Sequence, residues 1–152
     1  MTPSRQSVLL AIHGGNVMPQ ILEHVDAIAR RLKRDVLYLD FVKAKRPHRE
    51  DYRRLESRAR IVQWLDSEGI GWCECGPFAS ETVIRSYAGE IFIDVPFDEN
   101  DAQYRKIQAF LEYPDGTTRF GDVKFYIVTL QLAMKNAHHD EPGFWDRWAD
   151  NF

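Results

Sequence analysis

The chain has 152 residues, of which 44% are hydrophobic and 28% charged, and its formal net charge is −3. That length and balance fit one globular domain that buries a core without staples, and they exclude a disordered chain and a strongly basic nucleic-acid binder. Two cysteines are too few for a secreted disulfide framework, no apolar run reaches the roughly 18–20 residues of a membrane span, and the first seven residues lack a signal-peptide pattern, so a cytoplasmic protein with no membrane partner is expected.

An apolar run at residues 8–12 leads into His13, Gly14, Gly15 and Asn16. A helix-period stretch follows, with Ile21, Val25, Ile28 and Leu32 on one face, and then a second branched run at 36–42. Two short apolar runs flanking an amphipathic helix predict a β-α-β unit with a parallel sheet. A long helix is expected over 49–67, with Tyr52, Leu55, Ala59, Val62 and Leu65 as its buried stripe. Residues 70–75 read as a third strand, 80–87 as a short helix, and 90–95 as a fourth strand stopped by Pro96. Asp98 or Asn100 is placed to cap a helix running to Leu111. Tyr113-Pro114-Asp115-Gly116 is a turn signal, and residues 123–130 form a fifth, β-branched strand. Strand and helix alternate throughout. The expected architecture is therefore a single α/β domain: a five-stranded, mainly parallel sheet with helices on both faces, a core over about residues 7–130, and an aromatic C-terminal segment over 131–152.

With residues 8–14, the end of the long helix at 61–70 and the loop and helix at 76–84 in view, this order of elements resembles the universal stress protein family, an adenine-nucleotide-hydrolase-like α/β fold. The resemblance implies a homodimer and a nucleotide crevice. The departures bear on the crevice. ATP-binding members carry Gly-x2-Gly-x9-Gly-Ser/Thr after the fourth strand, whereas here Pro96-Phe97-Asp98-Glu99-Asn100-Asp101 follows, and His13 replaces the family's aspartate. Acidic residues stand where phosphate oxygens need backbone donors and positive charge, so binding of ATP or AMP is disfavoured and no cofactor is expected.

In a parallel sheet the carboxyl ends of the strands converge, so His13, Gly14, Gly15, Asn16, Asp40 and Asp94 are candidate ligand-binding residues, with the glycine backbone holding a small polar or anionic ligand. Cys73 and Cys75 alternate along a strand and read as small buried apolar residues. His138 and His139 have the right chemistry for a borderline divalent metal. As chain neighbours they cannot share one helix face, and they need a ligand from elsewhere; without it the segment is a polar connector.

Phe144, Trp145, Trp148 and Phe152 crowd the last nine residues, three of them at four-residue spacing. Exposed, they would form a costly patch, so they either dock within the chain or meet a second subunit or a protein partner. The reading that follows is a non-catalytic, dimeric regulatory or partner-binding protein of universal-stress type, with no nucleic-acid partner. The alternative is a nucleotide- or small-anion-binding protein, or an enzyme, using the crevice at His13-Gly14-Gly15.

Overall fold

The computed structural model describes residues 11–13, 16–20, 22–45, 47–83 and 85–151. Packing sorts them into two compact units: the described parts of 1–34, 75–87 and 128–152 form one, and 35–74 with 88–127 form the other.

The first unit opens with an antiparallel pair, β1 (Ala11–His13) and β2 (Asn16–Gln20), in which His13 lies opposite Asn16 and Ala11 opposite Gln20. Two residues, both glycine, separate these strands in sequence, a spacing and composition suited to a hairpin. Helix α1 (Val25–Leu32) follows and ends where Lys33 takes the left-handed conformation at φ 57°. Its six residues from Val25 to Arg30 are all buried, including Asp26 and Arg30. At the other end of the chain, α4 (Leu130–Ala133) is capped by the Thr129 hydroxyl, which accepts from the Leu132 N–H. It runs into a 3₁₀ turn at Met134–Asp140, kinked at Asn136. Gly143, at φ 78°, supplies a backbone shape that L residues rarely adopt and starts α5 (Phe144–Asp150).

The second unit is built on β3 (Val36–Phe41), α2 (Glu56–Ser67), β4 (Trp72–Glu74), β5 (Ile91–Ile93), α3 (Ala102–Leu111) and β6 (Val123–Val128). The order across the sheet is β4-β5-β3-β6. Strand β5 is antiparallel to both neighbours, with Ile93 opposite Leu37 on one side and Trp72 on the other. At the far side, the Val42 N–H donates to the Asp122 carbonyl while Tyr38 stacks on Tyr126, so β6 also runs against β3.

These pairings correct the expected five-stranded parallel sheet. The sheet has four strands and every neighbouring pair is antiparallel; β1 pairs with β2 in a separate two-stranded sheet. The β3-α2-β4 crossover does return β4 in the direction of β3, as the alternation suggested. Strand β5 then inserts between them, which gives the split β-α-β-β-α-β connectivity of ferredoxin-like sheets. The expected covering of both faces by helices is corrected as well. Leu37, Leu39, Phe41, Ile91 and Ile93 share one cluster with Ile61 and Leu65 of α2 and with Tyr104, Ile107 and Leu111 of α3, so both helices pack on the same face.

Local corrections have local causes. The long helix starts at Glu56, after a 3₁₀ turn at Tyr52–Arg54 capped by the Asp51 carboxylate, and it buries Ile61 while Ala59 stays exposed. The cap of α3 is Asp101, whose carboxylate accepts from the Tyr104 N–H at 2.9 Å. No helix forms over the described part of 80–87, where the Ser80 hydroxyl accepts from the Thr82 N–H and bonds the Thr82 hydroxyl. Such side-chain bonds compete with helical ones. Among the described residues, no helix is long and apolar enough to cross a membrane.

Glu90, just before β5, is 1% exposed, and its carboxylate accepts from the Ala88 N–H at 2.7 Å. Burial pushes its pKa above the usual glutamate value of 4.5, against the pull of Lys45. The native state thus holds a proton that the unfolded chain releases, and this contribution to stability is fully present below the unfolded pKa and is lost as pH rises through the folded one. Glu90→Gln keeps a neutral acceptor, so the stability of the variant relative to wild type should increase as pH rises from the unfolded pKa through the folded one and then level off in urea denaturation; a pH-independent difference would show that Glu90 is not the titrating group.

Candidate metal centre

The first unit gathers three segments around one carboxylate. Asp26 on α1 is fully buried; one oxygen accepts from the Ala79 N–H at 2.9 Å, and the other accepts from Arg30 at 2.9 Å and from the Asn136 amide at 3.1 Å. Arg30 donates in turn to both oxygens of Asp140, at 2.7 and 2.9 Å, and to the Ala133 carbonyl at 2.8 Å. The loop at 79–81 and the 3₁₀ turn at Met134–Asp140 are therefore tied to the same helix, and to each other through Asn136 and the Ala79 carbonyl.

This arrangement brings Glu81 to His138 and His139. The Glu81 carboxylate lies 3.3 Å from Nε2 of His138 and 3.4 Å from Nε2 of His139, and one ligand atom from each of the three residues falls within 4.8 Å of the others. Donors bound at about 2.0–2.2 Å to one tetrahedral ion stand roughly 3.4 Å apart, which matches both separations from the carboxylate. The two rings need no common helix face, because Glu81 enters from a separate loop and the imidazoles meet edge to face with centroids 4.4 Å apart.

The members differ in environment. His139 is 1% exposed, wedged between Phe144, on which it stacks with centroids 4.7 Å apart, and Trp145, also at 4.7 Å. Burial lowers its pKa below the ordinary imidazole value, so the ring is neutral at pH 7, the form that ligates metals. Neither of its ring nitrogens makes a hydrogen bond among the described residues; Nε2 meets Glu81 only as a charge contact at 3.4 Å. The hydrogen bond from His138 lowers the Glu81 pKa, which keeps the carboxylate ionised. The side chains of His138 and Glu81 are 46% and 45% exposed, so the cluster has a buried floor and an open side.

Of the other candidate residues, Asp40 and Asp94 do not come together. His13 ends β1 and Asn16 begins β2, while Gly14 and Gly15 lie outside the described residues. Asp40 is buried near the end of β3 and pairs with Lys45 at 2.7 Å. Asp94 is exposed just beyond β5. Because β3 and β5 are antiparallel, Asp40 and Asp94 sit at opposite ends of the sheet, and the convergence expected of parallel strands is lost. Cys75 is buried as expected, but Cys73 is exposed.

The aromatic segment docks within its own unit. Trp145 is buried against His24 and His139, Phe144 lies on the histidine pair, and the Trp148 indole N–H donates to the Glu81 carbonyl at 2.8 Å; Phe152 lies outside the described residues. Glu81, the third member of the cluster, is not among the residues the sequence singles out, nor are Asp26 and Arg30. A signal for the last two existed: an Asp and an Arg four residues apart within the apolar stretch of a helix mark a pair that can be buried together.

No family model, curated protein or solved structure matches this chain.

Removing the Asp26 carboxylate strands the Ala79 N–H, the Asn136 amide and part of the Arg30 charge. Breaking a buried pair of this kind costs about 3–5 kcal/mol. Asp26→Ala should lower the urea midpoint accordingly, and a change below about 1 kcal/mol would show that the network does not hold the unit together.

Proposed function

We propose that this protein binds a borderline divalent transition-metal ion, Zn²⁺ being the type case, through Glu81, His138 and His139. The observation that carries this reading is His139: a buried, neutral imidazole with no hydrogen bond to either nitrogen among the described residues, its Nε2 3.4 Å from a carboxylate that a second imidazole approaches at 3.3 Å. An unsatisfied buried polar group costs about 1–3 kcal/mol, and coordination by Nε2 would relieve that cost.

Two nitrogens and one oxygen suit Zn²⁺, Fe²⁺, Co²⁺ or Ni²⁺, whereas Ca²⁺ and Mg²⁺ require mostly oxygen donors. Three protein ligands with half-exposed outer members leave coordination positions for water or another exchangeable ligand. That is the composition of open zinc sites, in contrast to the four-ligand closed sites that serve only structure.

Calorimetric titration of the chelator-treated protein should show one Zn²⁺ ion per chain and no heat from Mg²⁺ or Ca²⁺. Losing a group that merely supports a ligand weakens metal sites by about 10–100-fold, so His139→Ala and Glu81→Gln should each weaken binding by at least about a hundredfold. Unchanged affinity in both variants, or no binding of any of the four transition metals, would overturn the assignment.

A further inference from the structure

Each of the three ligands also touches α5. The Glu81 carbonyl accepts the Trp148 indole N–H at 2.8 Å, His138 meets Phe144 edge to face with centroids 5.3 Å apart, and His139 lies between Phe144 and Trp145. We propose that the ion held by Glu81, His138 and His139 acts as a clasp for the C-terminal helix, so that metal occupancy sets how firmly Phe144, Trp145 and Trp148 are docked. This inference rests on the metal assignment made above.

The physical link is side-chain orientation. The His139 ring is stacked on Phe144 at an interplanar angle of 27°, so coordination at Nε2, which fixes the plane of the ring, also fixes the surface on which α5 sits. Coordination of the Glu81 carboxylate likewise immobilises the residue whose carbonyl receives Trp148. The Glu81 carboxylate lies 3.3 and 3.4 Å from the two imidazole nitrogens, and two of the three side chains are half-exposed. Coupling between a ligand and a docked segment is reciprocal: whatever factor the ion adds to docking of the helix, docking adds to the affinity for the ion. Release of α5 would uncover Trp145, now 4% exposed, together with its aromatic neighbours. Metal supply thereby controls exposure of an aromatic surface.

The test uses the full chain, stripped with a chelator and compared with and without saturating ZnCl₂. Zinc binding is followed by calorimetry, and amide hydrogen exchange is followed over residues 144–150. The expected result is zinc binding together with slowing of exchange in α5 on the order of tenfold. Trp148→Phe, which keeps all three ligands and removes the indole donor, should still bind zinc, but more weakly, and should show a smaller slowing. If wild type binds zinc and exchange slows only around residues 79–82 and 136–140, the clasp is wrong and the metal site stands. If wild type binds none of Zn²⁺, Fe²⁺, Co²⁺ and Ni²⁺, both fail. Because wild type with and without zinc carries the main comparison, the test does not depend on how well the variant folds.

Discussion

The carboxylate of Asp26 and the guanidinium of Arg30, one helical turn apart and both buried, are the contact on which the first unit depends. A charge placed where water cannot reach it must be surrounded by partners, and here the partners come from three separated stretches of chain. Asp26 takes its hydrogen bonds from residues 79 and 136 as well as from Arg30, and Arg30 spends its remaining donors on residues 133 and 140. A hydrophobic pair in the same place could contribute comparable stability, but it would not dictate which loop faces which turn. The bond directions do that. They set Glu81 beside the two histidines with no contribution from regular structure at 80–83.

Around that frame, the aromatic residues create a second environment. Phe144 and Trp145 remove His139 from water and so hold its imidazole neutral, while His138 and Glu81 stay at the surface. Burial thus selects the ligating form of one histidine, and the Glu81 carboxylate is kept ionised by the other. The α5 helix packs on all three residues of the cluster and forms one wall of it.

The four-stranded sheet shows the limits of alternation as a guide to topology. Residues 36–41, 72–74, 91–93 and 123–128 fall inside the stretches expected to be strands, and the helices ending at Ser67 and Leu111 end where periodicity and composition place them. Reading strand-helix-strand as a continuous parallel sheet failed because the described part of 80–87 holds no helix and β5 slips between β3 and β4. A strand buried on both faces looks the same in sequence whichever way its neighbours run. The resemblance to a nucleotide-binding scaffold depended on that parallel arrangement, and so did the crevice in which Asp40 and Asp94 were to meet.

The sequence by itself determined where the chain turns and alternates, because those choices depend on residues a few positions apart: the proline after β5, the end of α3 at Leu111, the turn at 113–116, and the aromatic spacing of α5; the cap of α3, expected at Asp98 or Asn100, fell to Asp101. It also identified His138 and His139 as ligand chemistry lacking a partner. Only the tertiary structure decided what that partner is. Glu81 stands 57 residues away in sequence, on a loop with no periodicity of its own. Its approach is fixed by hydrogen bonds to a helix near the other end of the chain, and no local pattern encodes a contact at that separation.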